Sequence, residues 1–282
     1  MPGGIETRAL FDMHTWLFDL DGTLYRGREP MPGAREVMNT LRSAGKPIQF
    51  VTNNSRHTAE EIARKLNGMG IQASSRDIVT ATEYTGRFIR ELHGCLKLAA
   101  AGSDAFVAAL REAGHHVLDS GERGAVDAAV IGLDPAFTYE KLEWLAQSVS
   151  AGAMLIAANA DACHPGEGGY PVPETGALAA AVESASKKKA AYVGKPEPYL
   201  FRYALQLCGG EGDRAVMVGD NYDTDITGGK RAGLYTVWLT PNSADTEKAE
   251  IPAEGRPLAD KVIRSLAEIE KELRHGGEIH EV

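Results

Sequence analysis

Four short polar runs in this chain each follow a stretch of apolar residues, and each holds side chains suited to phosphate chemistry. Asp19-Leu20-Asp21-Gly22-Thr23-Leu24 comes directly after Trp16-Leu17-Phe18. Two carboxylates two positions apart, followed by a Gly-Thr turn, bring acidic oxygens and turn N–H groups together. Thr52-Asn53-Asn54 follows Ile48-Gln49-Phe50-Val51, and a hydroxyl with turn N–H groups can hold phosphoryl oxygens. Gly194-Lys195-Pro196 follows Ala191-Tyr192-Val193, and lysine is a compact cation suited to a phosphate oxygen. Gly219-Asp220-Asn221-Tyr222-Asp223-Thr224-Asp225 follows Ala215-Val216-Met217-Val218, and clustered carboxylates suit a hard cation such as Mg²⁺. Taken singly, these runs also read as surface turns or solvated loops. What they share is a position after a buried strand, and a parallel strand delivers its carboxyl end to the ligand crevice of an open sheet. Several aspartates at such an edge repel one another without a counter-ion, so a divalent metal is expected there.

The elements that must position these runs follow the same alternation. Residues 34–44 read as a helix stopped by Gly45, and Thr58 with Glu61 forms the T-x-x-E signature of a capped helix start. The runs KLAAAG, DAAVIGL and AMLIAAN read as strands, with the amphipathic segment YEKLEWLAQSVSAG between the last two. A further helix is expected over 198–208. The tail after Ile251 is expected to end in a surface helix whose last residues, HGGEIHEV, are frayed. Strands alternating with helices imply an α/β fold with a mainly parallel sheet. Asp21 and Thr52 are only 31 positions apart, which holds one helix and one strand. Thr52 and Lys195 are 143 positions apart, far more than one crossover needs. A smaller α/β domain over residues 93–186 is therefore expected as an insertion, with 1–92 and 187–282 forming the core.

Composition bounds the partners. A length of 282 residues suits two modest domains, and 43% hydrophobic with 24% charged residues is the balance of a soluble globular chain. The net charge of -9 argues against a nucleic-acid polymer, although a metal and one lysine can still set a local field for an anionic substrate. Three cysteines, odd in number and without a CxxC pair, argue against a disulfide framework or a structural zinc site, and for a reducing compartment. The opening MPGGIETRAL lacks an apolar signal core, and no run approaches a membrane span, so the expectation is a cytoplasmic protein without a membrane partner.

In this order, the four runs resemble the haloacid dehalogenase (HAD) superfamily of aspartate-nucleophile phosphotransferases, over residues 14–245. The resemblance implies a Rossmann-like (HAD) core with an inserted cap domain of the C2 type. The cap's placement, with AANAD, TGAL, YVGKP and GDNYDTDI, is similar to the NagD-like, para-nitrophenylphosphatase-type branch. Haloacid dehalogenases themselves and β-phosphoglucomutase carry their cap after the first run, where the 31 positions leave no room. Haloacid dehalogenases also lack the second aspartate, here Asp21. By this resemblance Asp19 is the nucleophile that forms an aspartyl-phosphate, and Asp21 is the general acid and then base. Mg²⁺ is held by the carboxylates of Asp19 and Asp220 and the main-chain carbonyl of Asp21, with Asp225 in support. Thr52 and Lys195 hold the phosphoryl group, and Asn53 adds its main-chain N–H. The implied reaction is Mg²⁺-dependent hydrolysis of small phosphate monoesters, such as sugar or nucleotide phosphates and para-nitrophenyl phosphate, by a homodimer. Transfer to an acceptor other than water, as in a mutase, uses the same intermediate. A non-catalytic binder would have lost an aspartate or the lysine, and none is missing. In the insertion, Asp161-Ala162-Cys163-His164-Pro165 is the candidate specificity loop. Asp161 and His164 are its candidate contacts, His164 reading equally as an exposed loop histidine, and Cys163 is read as a packing residue.

Overall fold

Every residue of Thr15–Phe18 is buried, as in a central strand covered on both faces. The computed structural model describes residues 9–119, 122, 124–166, 169–210, 212–240 and 259–278. Along the chain come β1 (Thr15–Phe18), the short pair β2 (Tyr25–Arg26) and β3 (Glu29–Pro30), α1 (Ala34–Ser43), β4 (Ile48–Thr52) and α2 (Ala59–Gly68). Then follow β5 (Ile78–Thr80), α3 (Ala81–His93), β6 (Lys97–Ala101), α4 (Asp104–Glu112), β7 (His116–Val117), β8 (Ala128–Ile131) and α5 (Tyr139–Ser150). After these come β9 (Met154–Ala157), β10 (Cys163–Pro165), β11 (Pro171–Pro173), α6 (Thr175–Ser186) and β12 (Ala191–Tyr192). The chain ends with α7 (Tyr199–Cys208), β13 (Ala215–Gly219), α8 (Thr227–Arg231), β14 (Tyr235–Leu239), β15 (Lys261–Ile263) and α9 (Leu266–Glu278). The fold is α/β with mainly parallel sheets, as the alternation of runs implied, and has the Rossmann-like core with a smaller inserted α/β domain that the spacing and the resemblance implied. By internal packing the chain divides into one unit of Met1–Val51, Arg64–Ala73 and Phe201–Val282, and a second of Thr52–Ala63 and Ser74–Leu200.

In the first unit, β15, β14, β13, β1 and β4 lie side by side in that order, all parallel. Phe18 stands opposite both Val218 and Phe50, so the carboxyl ends of β1, β13 and β4 are level. Helix α1 buries Ala34, Val37, Met38 and Leu41, the spacing of one helical face, and stops where expected at Gly45, whose φ is 66°. The last helix is present as expected on the surface, and it packs on α1 through Leu266 and Ile269, both fully buried. Burying two such side chains contributes about 1.5–3 kcal/mol each. The helix also continues through Glu278, into the segment expected to fray; residues 279–282 lie outside the described residues.

In the second unit, β12, β9, β8, β6 and β7 form another parallel sheet. Its strands carry Ala99, Ala101, Ala129 and Ala157, small residues packed against Trp144, Leu145, Val149, Ala179 and Val182 of α5 and α6. The predicted capping box is present: Thr58 N–H donates to Glu61 Oε2 at 2.8 Å and Glu61 N–H to Thr58 Oγ1 at 3.2 Å. The expected loop at 161–165 is instead partly strand, because β10 pairs antiparallel with β11, Cys163 opposite Pro173. Two three-residue strands containing prolines show no apolar alternation, so the pattern concealed them. Cys163, read as a packing residue, is exposed on this hairpin. Among the described residues no helix is long and apolar enough to cross a membrane.

Candidate active site

The first unit gathers carboxylates. Asp19 follows β1 immediately, and its N–H donates to Val218 O on the neighbouring strand at 2.9 Å. Asp220 follows β13 immediately. Asp225 lies one turn later in Tyr222–Ile226, a single π-helical turn, a feature that often marks functional sites. Asn221 starts that turn, its side chain accepting from the N–H groups of Asp223 and Thr224. Carboxylate oxygens of Asp19, Asp220 and Asp225 all lie within 4.8 Å of one another. Asp19 and Asp225 are buried and Asp220 half-buried.

The backbone around this cluster is shaped to admit it. Gly22 has φ 90°, and a Cβ there would sit 2.2 Å from Asp220 Oδ2. A Cβ on Gly219 would sit 2.3 Å from Asp225. Thr23, fully buried, donates its hydroxyl to Asp220 Oδ1 at 3.0 Å. Trp238 Nε1 donates to the Asp220 carbonyl at 2.9 Å and meets the Tyr222 ring edge-on at 4.9 Å. Asn221 N–H donates to Asp225 Oδ2 at 3.1 Å. Three carboxyl groups this close, one of them fully buried, fit a cation site, and an all-oxygen donor set suits a hard divalent ion. Two unit charges 4.8 Å apart repel by on the order of 3 kcal/mol at an effective dielectric near 20.

Asp21 lies two residues beyond Asp19, is exposed, and is not among the three clustered carboxylates. Its loop closes through Gly22 N–H donating to Tyr25 O at 2.8 Å. Burial and the charges of Asp21 and Asp19 push the Tyr25 hydroxyl well above its usual pKa, so it stays protonated. The Lys65 ammonium lies 3.9 Å from the centre of the Tyr25 ring. Burial lowers the Lys65 pKa, opposed by the charge of Asp21. Neither Tyr25 nor Lys65 stood out in the sequence, because an aromatic after a turn and a lysine late in a helix have no distinguishing pattern.

The second unit holds the other sequence candidates. Thr52 is buried, the last residue of β4, and its Oγ1 accepts from Asn54 N–H at 3.1 Å. Lys195 is 2% exposed. Asn53 and Lys195 are brought together: Lys195 N–H donates to Asn53 Oδ1 at 2.7 Å, and Asn53 Nδ2 donates to Lys195 O at 3.0 Å. Asp161 joins them, its Oδ2 accepting from Asn53 Nδ2 at 3.0 Å. His164 is apart, exposed on β10, with Nδ1 2.7 Å from Glu174 Oε1. Burial pushes the Glu174 carboxyl up, and His164 opposes that shift.

Sequence reasoning gave no role to three buried polar residues of this network, although Asn159 and Thr175 lie within the AANAD and TGAL segments. Asn159 donates to Asn53 O at 2.6 Å, and Ser55 Oγ lies 2.7 Å from Thr175 Oγ1 and accepts from Leu133 N–H at 3.1 Å. Asn159 had a signal: like Thr52, it is a polar residue that ends an apolar strand run, here MLIAA.

A family model described as "Haloacid dehalogenase-like hydrolase" matches residues 16–116, and another described as "HAD-hydrolase-like" matches 192–269. The chain is 36% identical over 258 residues to an acid sugar phosphatase of Staphylococcus saprophyticus, covering 92% of this chain and 97% of that protein. The structure of a 4-nitrophenylphosphatase from Thermotoga maritima matches with a TM-score of 0.85 and 30% identity, covering 94% of this chain and 99% of that one. NagD from Escherichia coli K-12 matches with a TM-score of 0.82 and 28% identity, covering 91% and 98%.

Proposed function

This chain belongs to the haloacid dehalogenase-like hydrolases, in the branch of NagD and the para-nitrophenylphosphatases, and is a phosphatase; on that premise we propose that it hydrolyses sugar phosphates through a phosphoryl group carried on Asp19, with Mg²⁺ as its cation. The observation that carries this reading is the convergence of Asp19, Asp220 and Asp225 at the carboxyl ends of β1 and β13. The carboxylates of Asp19 and Asp220 and the Asp21 carbonyl would hold the ion, with Asp225 in support. When bound, the ion neutralises negative charge on the cluster and on the phosphoryl group in transfer.

The chain's own groups then divide the work. A carboxylate oxygen of Asp19 attacks phosphorus, and the bond from phosphorus to the substrate's ester oxygen breaks. Asp21 gives its proton to that leaving oxygen, then takes one from the water that attacks phosphorus in the second step. Cleavage of the Asp19–phosphorus bond returns the carboxylate and frees inorganic phosphate. Thr52, the Asn53 N–H and Lys195 hold the non-bridging oxygens, where donors positioned in advance lower the barrier most. Residues 93–186 act as the cap that selects the leaving group, with Asp161 and His164 as its reading side chains. The sugar-phosphate preference is supported by the Staphylococcus relative, an acid sugar phosphatase.

Phosphate release from sugar phosphates, nucleoside monophosphates and para-nitrophenyl phosphate, with Mg²⁺ and with EDTA, tests the proposal. Metal-dependent release, fastest from sugar phosphates, is expected. Undiminished release after metal stripping would remove the cation from the account, and faster release from nucleotides would remove the sugar preference.

A further inference from the structure

We infer that the side chain of Asn53 is a positioning residue that sets Lys195 through a closed hydrogen-bonded ring within the second unit; this rests on Lys195 holding the phosphoryl group. The Asn53 amide grips both main-chain polar groups of Lys195, accepting from its N–H at 2.7 Å and donating to its carbonyl at 3.0 Å. Its Nδ2 also donates to Asp161 Oδ2 at 3.0 Å. This pattern fixes the amide's orientation, because the oxygen faces an N–H and the nitrogen faces two oxygens. Asn159 closes the ring: its Nδ2 donates to Asn53 O at 2.6 Å, and its Oδ1 accepts from Asp161 N–H at 3.0 Å.

Packing leaves the grip no slack. A Cβ on Gly194 would sit 2.6 Å from Asn53 Oδ1, 2.7 Å from Ala158 O and 2.9 Å from Asn159 Cβ, so glycine is required beside the lysine. Gly194 N–H donates to Ala158 O at 2.8 Å, tying the lysine's turn to the end of β9. Asn159 is 1% exposed and Lys195 2%. A buried ammonium at the end of a flexible four-carbon stem depends on its main-chain anchor for its reach. Asn53 thus has two separable parts: a main-chain N–H assigned to phosphate, and a side chain that sets the lysine and ties it to Asp161.

The test uses the full chain with Mg²⁺, inorganic phosphate as competitive inhibitor and para-nitrophenyl phosphate as substrate. Asn53→Ala keeps the main-chain N–H and removes the grip. It is expected to weaken phosphate inhibition about 10-fold or more; misplacement by about 1 Å costs up to about 100-fold at other sites. In a Lys195→Met background the same substitution should add almost nothing, since groups acting through one another are not additive. Ser186→Ala, which removes a buried hydroxyl's bonds to Val182 O and Lys188 N–H and touches no member of the ring, should lower Tm yet leave phosphate inhibition within about twofold, as for an independent site. If Asn53→Ala does not fold, Asp161→Ala removes one bond of the ring and should give a smaller loss that also vanishes with Lys195→Met. The inference is overturned if the Asn53 or Asp161 effect is undiminished in the Lys195→Met background, if it is absent, or if Ser186→Ala matches it. Should Lys195→Met alone leave phosphate inhibition unchanged, the role given to Lys195 fails and this inference falls with it.

Discussion

Asp19→Asn is expected to lower turnover of every phosphate monoester by about 10⁴-fold or more, the scale on which loss of a nucleophile acts. The amide has nearly the carboxylate's shape but cannot form the phosphoryl bond. Stability should move the other way. Asp19 is buried within 4.8 Å of two other carboxylates, so in EDTA the variant loses repulsion and should melt at the same temperature or higher. Steady-state kinetics and thermal melts check both halves. A variant that kept most of its turnover would show that Asp19 is not the nucleophile. One that was inactive because it was unfolded would show that Asp19 serves the fold instead.

Asp220→Ala carries the second large effect. Asp220 is the hub of the cluster: Thr23 donates to its carboxylate, Trp238 to its carbonyl, and Gly22 passes too close to allow a side chain. Removing a direct ligand should raise the Mg²⁺ concentration for half-activation by about 100-fold or more, since outer partners alone are worth 10–100-fold. Binding to the folded state raises stability by mass action. Saturating Mg²⁺ should therefore raise the wild-type Tm and raise the variant's far less. A Mg²⁺ titration that overlays wild type in both activity and melting would move the cation away from Asp220.

The first unit was largely legible because its chemistry sits at the ends of short apolar runs. Trp16-Leu17-Phe18 and Ala215-Val216-Met217-Val218 are buried along their length, so the polar residues that follow had to emerge at a strand end. The glycines were legible as turn residues, but their tightest constraint was not. Gly22 and Gly219 are excluded from bearing side chains by carboxylates 198 and six positions away, respectively, which no local pattern encodes. Partnership at long range is also why the ring around Asn53 was invisible. Asn53 and Asn159 are 106 positions apart, and Ser55 and Thr175 are 120 apart.

Local patterns misled where a residue's role depends on what covers it. His115 sits in a histidine pair with no local sign of burial, yet it is buried, accepts from Leu96 N–H at 3.1 Å, and lies 2.9 Å from Gly86 O. The last helix reads as a surface helix and is one, but nothing in its charged sequence shows that Leu266 and Ile269 dock it on α1. The hairpin of β10 and β11 reads as loop because Cys163-His164-Pro165 and Pro171-Val172-Pro173 alternate nothing apolar. In each case the deciding information lies in the partner element and not in the segment itself.

The covalent step on Asp19 is the centre of the account, and reductive trapping tests it most directly. The enzyme is mixed with Mg²⁺ and para-nitrophenyl phosphate at high concentration, quenched during turnover, and treated with borohydride, which reduces an acyl phosphate but not a free carboxylate. Peptide mass spectrometry should find Asp19 converted to homoserine, in wild type with substrate and not without it. Turnover with Asp19 unmodified, or with the conversion at another carboxylate, would contradict a phosphoryl group carried on Asp19.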